Sequence, residues 1–176
     1  MRVAISSGHG LKVRGASGYI DEVDEARRVV PKVAQFLHRR GVRVATFNDD
    51  TSTTQDQNLK TIVNWHNDQE RDLDVSVHFN AYQPTEDPMG TECLYVTQGE
   101  LATDVALAIA EAGDLINRGP KYRDGLYFLN NTNEAAILIE VCFVDSEEDC
   151  AQYEKNFDAI CKAIASAICK DEEMLA

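Results

Sequence analysis

AAILIEVCFV, residues 135–144, decides the fold. The run is almost continuously apolar, so it reads as a central strand buried on both faces. Strands of that kind sit in sheets covered by helices on both sides. One residue breaks the pattern. Glu140 lies inside the run, where an unpaired carboxylate is costly to bury. It is either matched by a buried Arg or Lys or placed at a site with a raised pKa, which suits a general base or acid.

The rest of the chain supplies what such a sheet needs. RVAIS (2–6) reads as a strand, followed by a glycine-containing turn. A helical pattern opens at Glu22 and runs to about Arg40, with Val23, Ala26, Val30, Val33 and Leu37 on one side. Pro31 should kink or split it, and Gly41 should end it. VRVATF (42–47) is a strand, and 58–69 a helix. LDVSVHF (73–79) alternates, with Leu73, Val75, Val77 and Phe79 on one face and Ser76, His78 and Asn80 on the other. TECLYV (91–96) is a further strand, 101–116 an Ala-rich helix, and 153–168 an amphipathic helix. NRGPKYRDG (117–125) reads as a basic loop. Strands alternating with helices give an α/β class. The expected form is one domain over 1–170, a mixed, mostly parallel twisted sheet of about six strands with helices on both faces. Residues 171–176 are expected to be a frayed tail or the start of a linker.

Composition narrows the partners. The 176 residues are 44% apolar and carry a net charge of −13. No basic field draws in a polyanion, so nonspecific nucleic-acid binding is excluded as an expectation. No apolar run approaches the roughly 20 residues of a membrane span, so no membrane insertion is expected. His9 comes too early for a secretory leader to precede it, which leads us to expect a chain made in the cytoplasm without a signal peptide. The five cysteines, Cys93, Cys142, Cys150, Cys161 and Cys169, show no CxxC pair and read as reduced, mostly buried thiols.

His9, in ISSGHG (5–10), and His78, in DVSVHFNA (74–81), each close a short strand. In open α/β sheets ligands bind outside the carboxyl ends of strands. Either histidine alone is most simply a packed residue. Together with Glu140 they favour a metal site. A catalytic zinc takes about three protein ligands, often two His and a carboxylate, and leaves a position for water. Glu22 is the best remaining carboxylate, since it follows a flexible loop and opens a helix. Asp24 and Glu25 are not excluded by spacing.

Weaker signals surround this group. Arg118 and Lys121, with Arg123, form the basic stretch and are candidate contacts for a carboxylate-bearing ligand. Asn80 shares a strand face with His78 and is a candidate ligand-orienting or substrate contact. Asp49 and Asp50 suggest turn acids before a calcium loop. His38 and His66 read as structural. Tyr82, Tyr95 and Tyr127 are either packing residues or a glycan-binding face.

GHG at 8–10, the glutamate opening the first long helix, SVHFNA at 76–81 and LIEVCFVDS at 138–146 occur in an order that resembles zinc-dependent N-acetylmuramoyl-L-alanine amidases of the amidase 3 type. GTECLYV resembles that family's strand after the histidine motif, and RGPKYRDGLYFL its basic loop and following strand. The family includes bacterial cell-wall amidases and phage endolysins. The resemblance covers nearly the whole chain. It implies Zn2+ bound by His9, Glu22 and His78, with Glu140 as the catalytic glutamate. Glu22 matches as the residue four before the family's usual Asn, which is Ala26 here. The implied fold is a mixed sheet flanked by helices with the site along one sheet edge. The implied reaction is hydrolysis of the amide between N-acetylmuramic acid and L-alanine of peptidoglycan.

With no leader expected, this points to phage- or prophage-encoded lysis, the enzyme reaching the wall after holin-dependent release. The acidic charge would be repelled by anionic wall polymers, so a separate or missing cell-wall-binding domain is expected. Two other readings remain: a deacetylase-like zinc hydrolase of another small amide, and a non-catalytic peptidoglycan-binding module.

Overall fold

A computed structural model describes residues 1–173, with side chains through Cys169. The expected frayed tail at 171–176 therefore falls largely outside the described residues. In chain order the elements are β1 (Arg2–Ser7), α1 (Glu22–His38), β2 (Arg43–Phe47), α2 (Gln55–Asn67), β3 (Leu73–Asn80), β4 (Thr91–Tyr95), α3 (Gly99–Gly113), β5 (Asn117–Tyr122), α4 (Tyr127–Asn131), β6 (Ala135–Phe143) and α5 (Glu147–Glu173). The strands form one sheet in the order β2-β1-β3-β6-β4-β5. All neighbours are parallel except β4 and β6. This is the expected single-domain, mixed and mostly parallel α/β sheet.

β6 is central, as its composition demands. One face sends Ile137, Ile139 and Val141 into the main core beside Val3, Ile5, Val75 and Val77, under α1, α3 and α5. The opposite face sends Ala136 and Leu138 into a smaller cluster with Ile62, Val63, Leu94, Phe128 and Leu129, under α2 and α4. Two covered faces explain why the strand could not afford alternation.

Three expectations need correction. Pro31 does not split α1, which runs unbroken from Glu22 to His38. The proline ring is on the exposed side, while Val29, Val30, Val33 and Leu37 are buried and hold the helix to the sheet. The stretch 117–122, read as a loop, is edge strand β5. Gly119 (φ +75°) and the register shift between Thr91 and Cys93 let it pair despite Pro120, a residue that edge strands accept. The segment after it, read as a strand by resemblance, is the short helix α4. Gly41 does turn the chain after α1, at φ +80° and with its N–H bonded to His38 O.

One polar network pins α2 to the sheet. Buried His66 bridges Asp74 Oδ1 (2.7 Å) and Ser6 Oγ (2.9 Å). Arg71 grips the same Asp74 from Nε and Nη2, each at 2.9 Å. Burial raises the Asp74 carboxyl, and the hydrogen bonds from His66 and Arg71 more than offset it, leaving it below the usual carboxylate range. Burial holds His66 below its ordinary value. Both shifts act in one direction. The stability they provide is present above the ordinary values and is lost as pH falls through the lowered ones. Asp74→Asn leaves Arg71 buried without its counter-charge, so urea unfolding at pH 7 should show a loss of about 3 kcal/mol. The same variant should show a shallower fall in stability between neutral and acid pH. Parental stability and an unchanged pH slope would remove the network from this role.

Candidate metal centre and active site

The parallel register of β3 and β6 sets His78 directly against Glu140. β1, next to β3, ends at Ser7 and releases Gly8, His9 and Gly10 over the same end of the sheet. That turn is fixed by Gly8 N–H to Val77 O (2.8 Å) and by Ser7 Oγ to His9 O (3.1 Å). Glu22 arrives from the other direction as the first residue of α1. Asp21 caps that helix, accepting from the N–H groups of Val23 and Asp24.

Glu22 draws these parts together. Its Oε2 accepts from Ala16 N–H (2.8 Å), and its Oε1 from Phe79 N–H (3.2 Å). Oε1 also lies 3.0 Å from His78 Nδ1 and 3.5 Å from His9 Nε2. One ligand atom from each of His9, Glu22 and His78 falls within 4.8 Å of the others. The neighbouring acids that spacing had left open are engaged elsewhere. Glu25 accepts from Tyr153 OH (2.8 Å) and pairs with Arg28, while Asp24 is exposed and pairs with Arg14.

The charges answer to one another. Burial lowers the His9 pKa, and the neighbouring His78 lowers it further. Burial alone would lower His78 too, but the hydrogen bond and charge of Glu22 outweigh it and leave it above the ordinary imidazole value. Burial pushes Glu140 up to about 7, helped by Glu22 and Glu92 and opposed by His78. Among the described residues no Arg or Lys pairs with Glu140. Its Oε2 is buried without a hydrogen-bond partner, as is His9 Nδ1. Two imidazoles, one oriented carboxylate and an unpaired acid alongside make a donor set that suits zinc with an open position.

Beneath Glu140 lies a cavity of about 220 Å³. Leu59 and Ile62 of α2, Leu94, Leu126, Phe128 and Leu138 line it together with His9, His78 and Glu140. It supplies the low-dielectric side that raises the Glu140 pKa. The other sequence candidates separate. Asn80 and Arg118 converge on one carboxylate, Glu92, at 3.1 Å and 2.9 Å. Lys121 is half-buried, opposite Leu94 in the β4–β5 register. Tyr127 lines the cavity, Tyr95 packs on Tyr122, and Tyr82 is exposed. Asp49 closes a turn by accepting from Thr51, Ser52 and Asn58. His38 bonds Val42 O. Cys93, Cys142, Cys150 and Cys161 are buried thiols.

The sequence reading passed over Glu92. A signal was present: it shares a strand face with Leu94 in TECLYV, the same anomaly that singled out Glu140.

The family model for N-acetylmuramoyl-L-alanine amidase matches residues 3–170. The chain belongs to the N-acetylmuramoyl-L-alanine amidase family. Its fold resembles the catalytic domain of the CD27L endolysin targeting Clostridia difficile, with TM-score 0.89, 25% identity and 97% of each chain covered. It also resembles the amidase AmiC2 of Nostoc punctiforme, with TM-score 0.86, 27% identity, and 98% of this chain and 97% of that one covered. An uncharacterized 38.4 kDa protein of Clostridium perfringens is 36% identical over 97% of this chain and 51% of its own length. The chain thus spans about half the length of that curated relative.

Two glycines in this amidase-family chain are required by the site itself. A Cβ on Gly8 would stand 1.8 Å from His78 Nε2, and one on Gly15, at φ +73°, 2.4 Å from Glu22 Oε2. Gly8→Ala should therefore displace the His78 ring and reduce zinc retained after dialysis, measured by atomic emission, while far-UV circular dichroism stays parental. Full metal retention would show that the ring has more freedom than this packing allows.

Proposed function

We propose that this chain hydrolyses the amide between N-acetylmuramic acid and L-alanine in peptidoglycan, with His9, Glu22 and His78 as zinc ligands and Glu140 as general base and then acid. The observation that carries the reading is the unpaired Glu140 carboxyl, poised at about 7 and set across the β3–β6 register from His78. Zinc bound there supplies a Lewis acid that polarises the amide carbonyl and eases ionisation of water.

The chain's own groups do the rest. The backbone N–H groups of Ala16 and Phe79 fix the Glu22 carboxylate, so the ligand set is arranged before anything binds. Glu140 Oε2 has no internal partner to give up, so it is free to take a proton from the attacking water and hand it to the leaving amine. Its pKa near the working pH suits both transfers. The apolar wall of Leu94, Leu126 and Leu138 keeps bulk water from competing for that proton. Asn80, Arg118 and Lys121 are the proposed substrate contacts.

The likeness to an endolysin catalytic domain supports a lytic setting in phage or prophage release. The net charge of −13 supports delivery to the wall by a separate binding domain rather than by this surface.

Glu140→Gln should retain zinc and lose hydrolysis by about 10²–10⁴-fold. A zinc-loaded Gln variant with parental turnover would remove Glu140 from the proton transfers. Mass spectrometry of material released from purified sacculi tests the reaction itself. Stem peptides with a new L-alanine amino terminus, and peptide-free glycan, are the expected products. Chelation should stop their release and added zinc restore it. Zinc binding with no such product from any wall type would redirect the site to another amide substrate or to binding alone.

A further inference from the structure

The proton transfers leave one buried carboxylate without a task. Glu92 is 6% exposed and sits directly opposite Glu140 in the antiparallel β4–β6 register. It accepts from Asn80 Nδ2 at 3.1 Å and from Arg118 Nε at 2.9 Å. Arg118 is held twice more, by Nη1 to Met89 O at 3.3 Å and by its guanidinium 5.0 Å over the Phe143 ring. Its Nη2 has no protein partner among the described residues, and the side chain is 36% exposed on the edge strand. A buried carboxylate is an inefficient way to stabilise an edge strand, since apolar packing would serve as well. It is an effective way to aim a guanidinium, because Nε and Nη1 are each held and Nη2 is left to face solvent.

The spacing gives Nη2 a target. Arg118 is two strands from Glu140, in the order β6-β4-β5. Neighbouring strands are about 4.8 Å apart, so the two backbones are separated by about 10 Å, and the Arg118 guanidinium reaches back from there to Glu92 and the Phe143 ring. An extended peptide advances about 3.3 Å per residue, so the second residue beyond the scissile bond reaches about 7 Å from it. The second stem residue is an acidic residue linked through its side-chain carboxyl, which leaves its α-carboxyl free or amidated.

We propose that Arg118 binds the free α-carboxylate of the second stem residue, and that Glu92 is the positioning residue that aims it. This subsite rests on the amidase reading above. It would make the enzyme selective for walls in which that carboxyl is not amidated.

Two synthetic muramyl tripeptides test this, identical except for carboxylate or carboxamide at that position. With zinc-loaded protein, the carboxylate peptide should show a KM at least about tenfold lower, with similar kcat, which is the worth of one charge-assisted pair. Arg118→Ala should make the two peptides equivalent. Arg118→Lys should keep part of the preference, since charge remains without the fork. Glu92→Gln should shrink the preference several-fold through KM, and its melting temperature reports whether it is folded. Arg123→Ala removes the same charge nearby and should leave the preference intact.

Equal KM for both peptides with the parent protein overturns the subsite and leaves the amidase reading standing. Cleavage of neither peptide overturns both. Loss of preference in Arg123→Ala as complete as in Arg118→Ala reduces the effect to general charge and overturns the aimed contact. A folded Glu92→Gln protein with undiminished preference overturns the positioning role.

Discussion

The parallel register between β3 and β6 governs the molecule. It places His78 against Glu140, so an imidazole and an unpaired acid share one end of one sheet. The same pairing needs β6 at the sheet's centre, with helices over both faces. It also brings β1, and with it His9, alongside β3. Slipping this pair by one residue would turn His78 or Glu140 into the main core and expel a valine or isoleucine from it. The apolar pattern of the two strands therefore specifies the chemistry as firmly as it specifies the fold.

Residues whose environment is stated by their neighbours in sequence were legible. β6 declared two covered faces through an unbroken apolar run, and Glu140 stood out against it. β3 declared its faces by alternation, so His78 could be assigned to the side opposite Val75 and Val77. The choice of Glu22 over Asp24 and Glu25 was not legible from spacing. It depends on Ala16 N–H and Phe79 N–H reaching one carboxylate and on Tyr153 and Arg14 occupying the other two. β5 was missed because Gly119 and Pro120 erase the usual strand signal, and an edge strand needs only one satisfied side. α4 was missed because five residues are too few to display a helical period.

The site is asymmetric. On one side of Glu140 is an apolar cavity, which makes the carboxyl reluctant to ionise. On the other is Glu92, whose charge is already committed to Asn80 and Arg118. The polar face of the sheet thus passes from His78 to Glu140, to Glu92 and to the oriented cation of Arg118 across four adjacent strands, β3, β6, β4 and β5. That sequence of environments runs across the strands, so no linear motif contains it. It exists only once the antiparallel β4 has been inserted between β6 and β5.

The bridge that fastens α2 to the sheet has a further meaning. Ser6, His66 and Asp74 are linked hydroxyl to imidazole to carboxylate, at 2.9 Å and 2.7 Å. That is the hydrogen-bond order of a nucleophilic triad. Yet all three are 0% exposed, and Arg71 donates to both oxygens of the carboxylate. No acyl group can reach the hydroxyl. A search by atomic pattern would select these residues as the reactive centre and pass over His9, Glu22 and His78. In this protein the familiar constellation serves as a rivet, and access to solvent separates the fastening from the site.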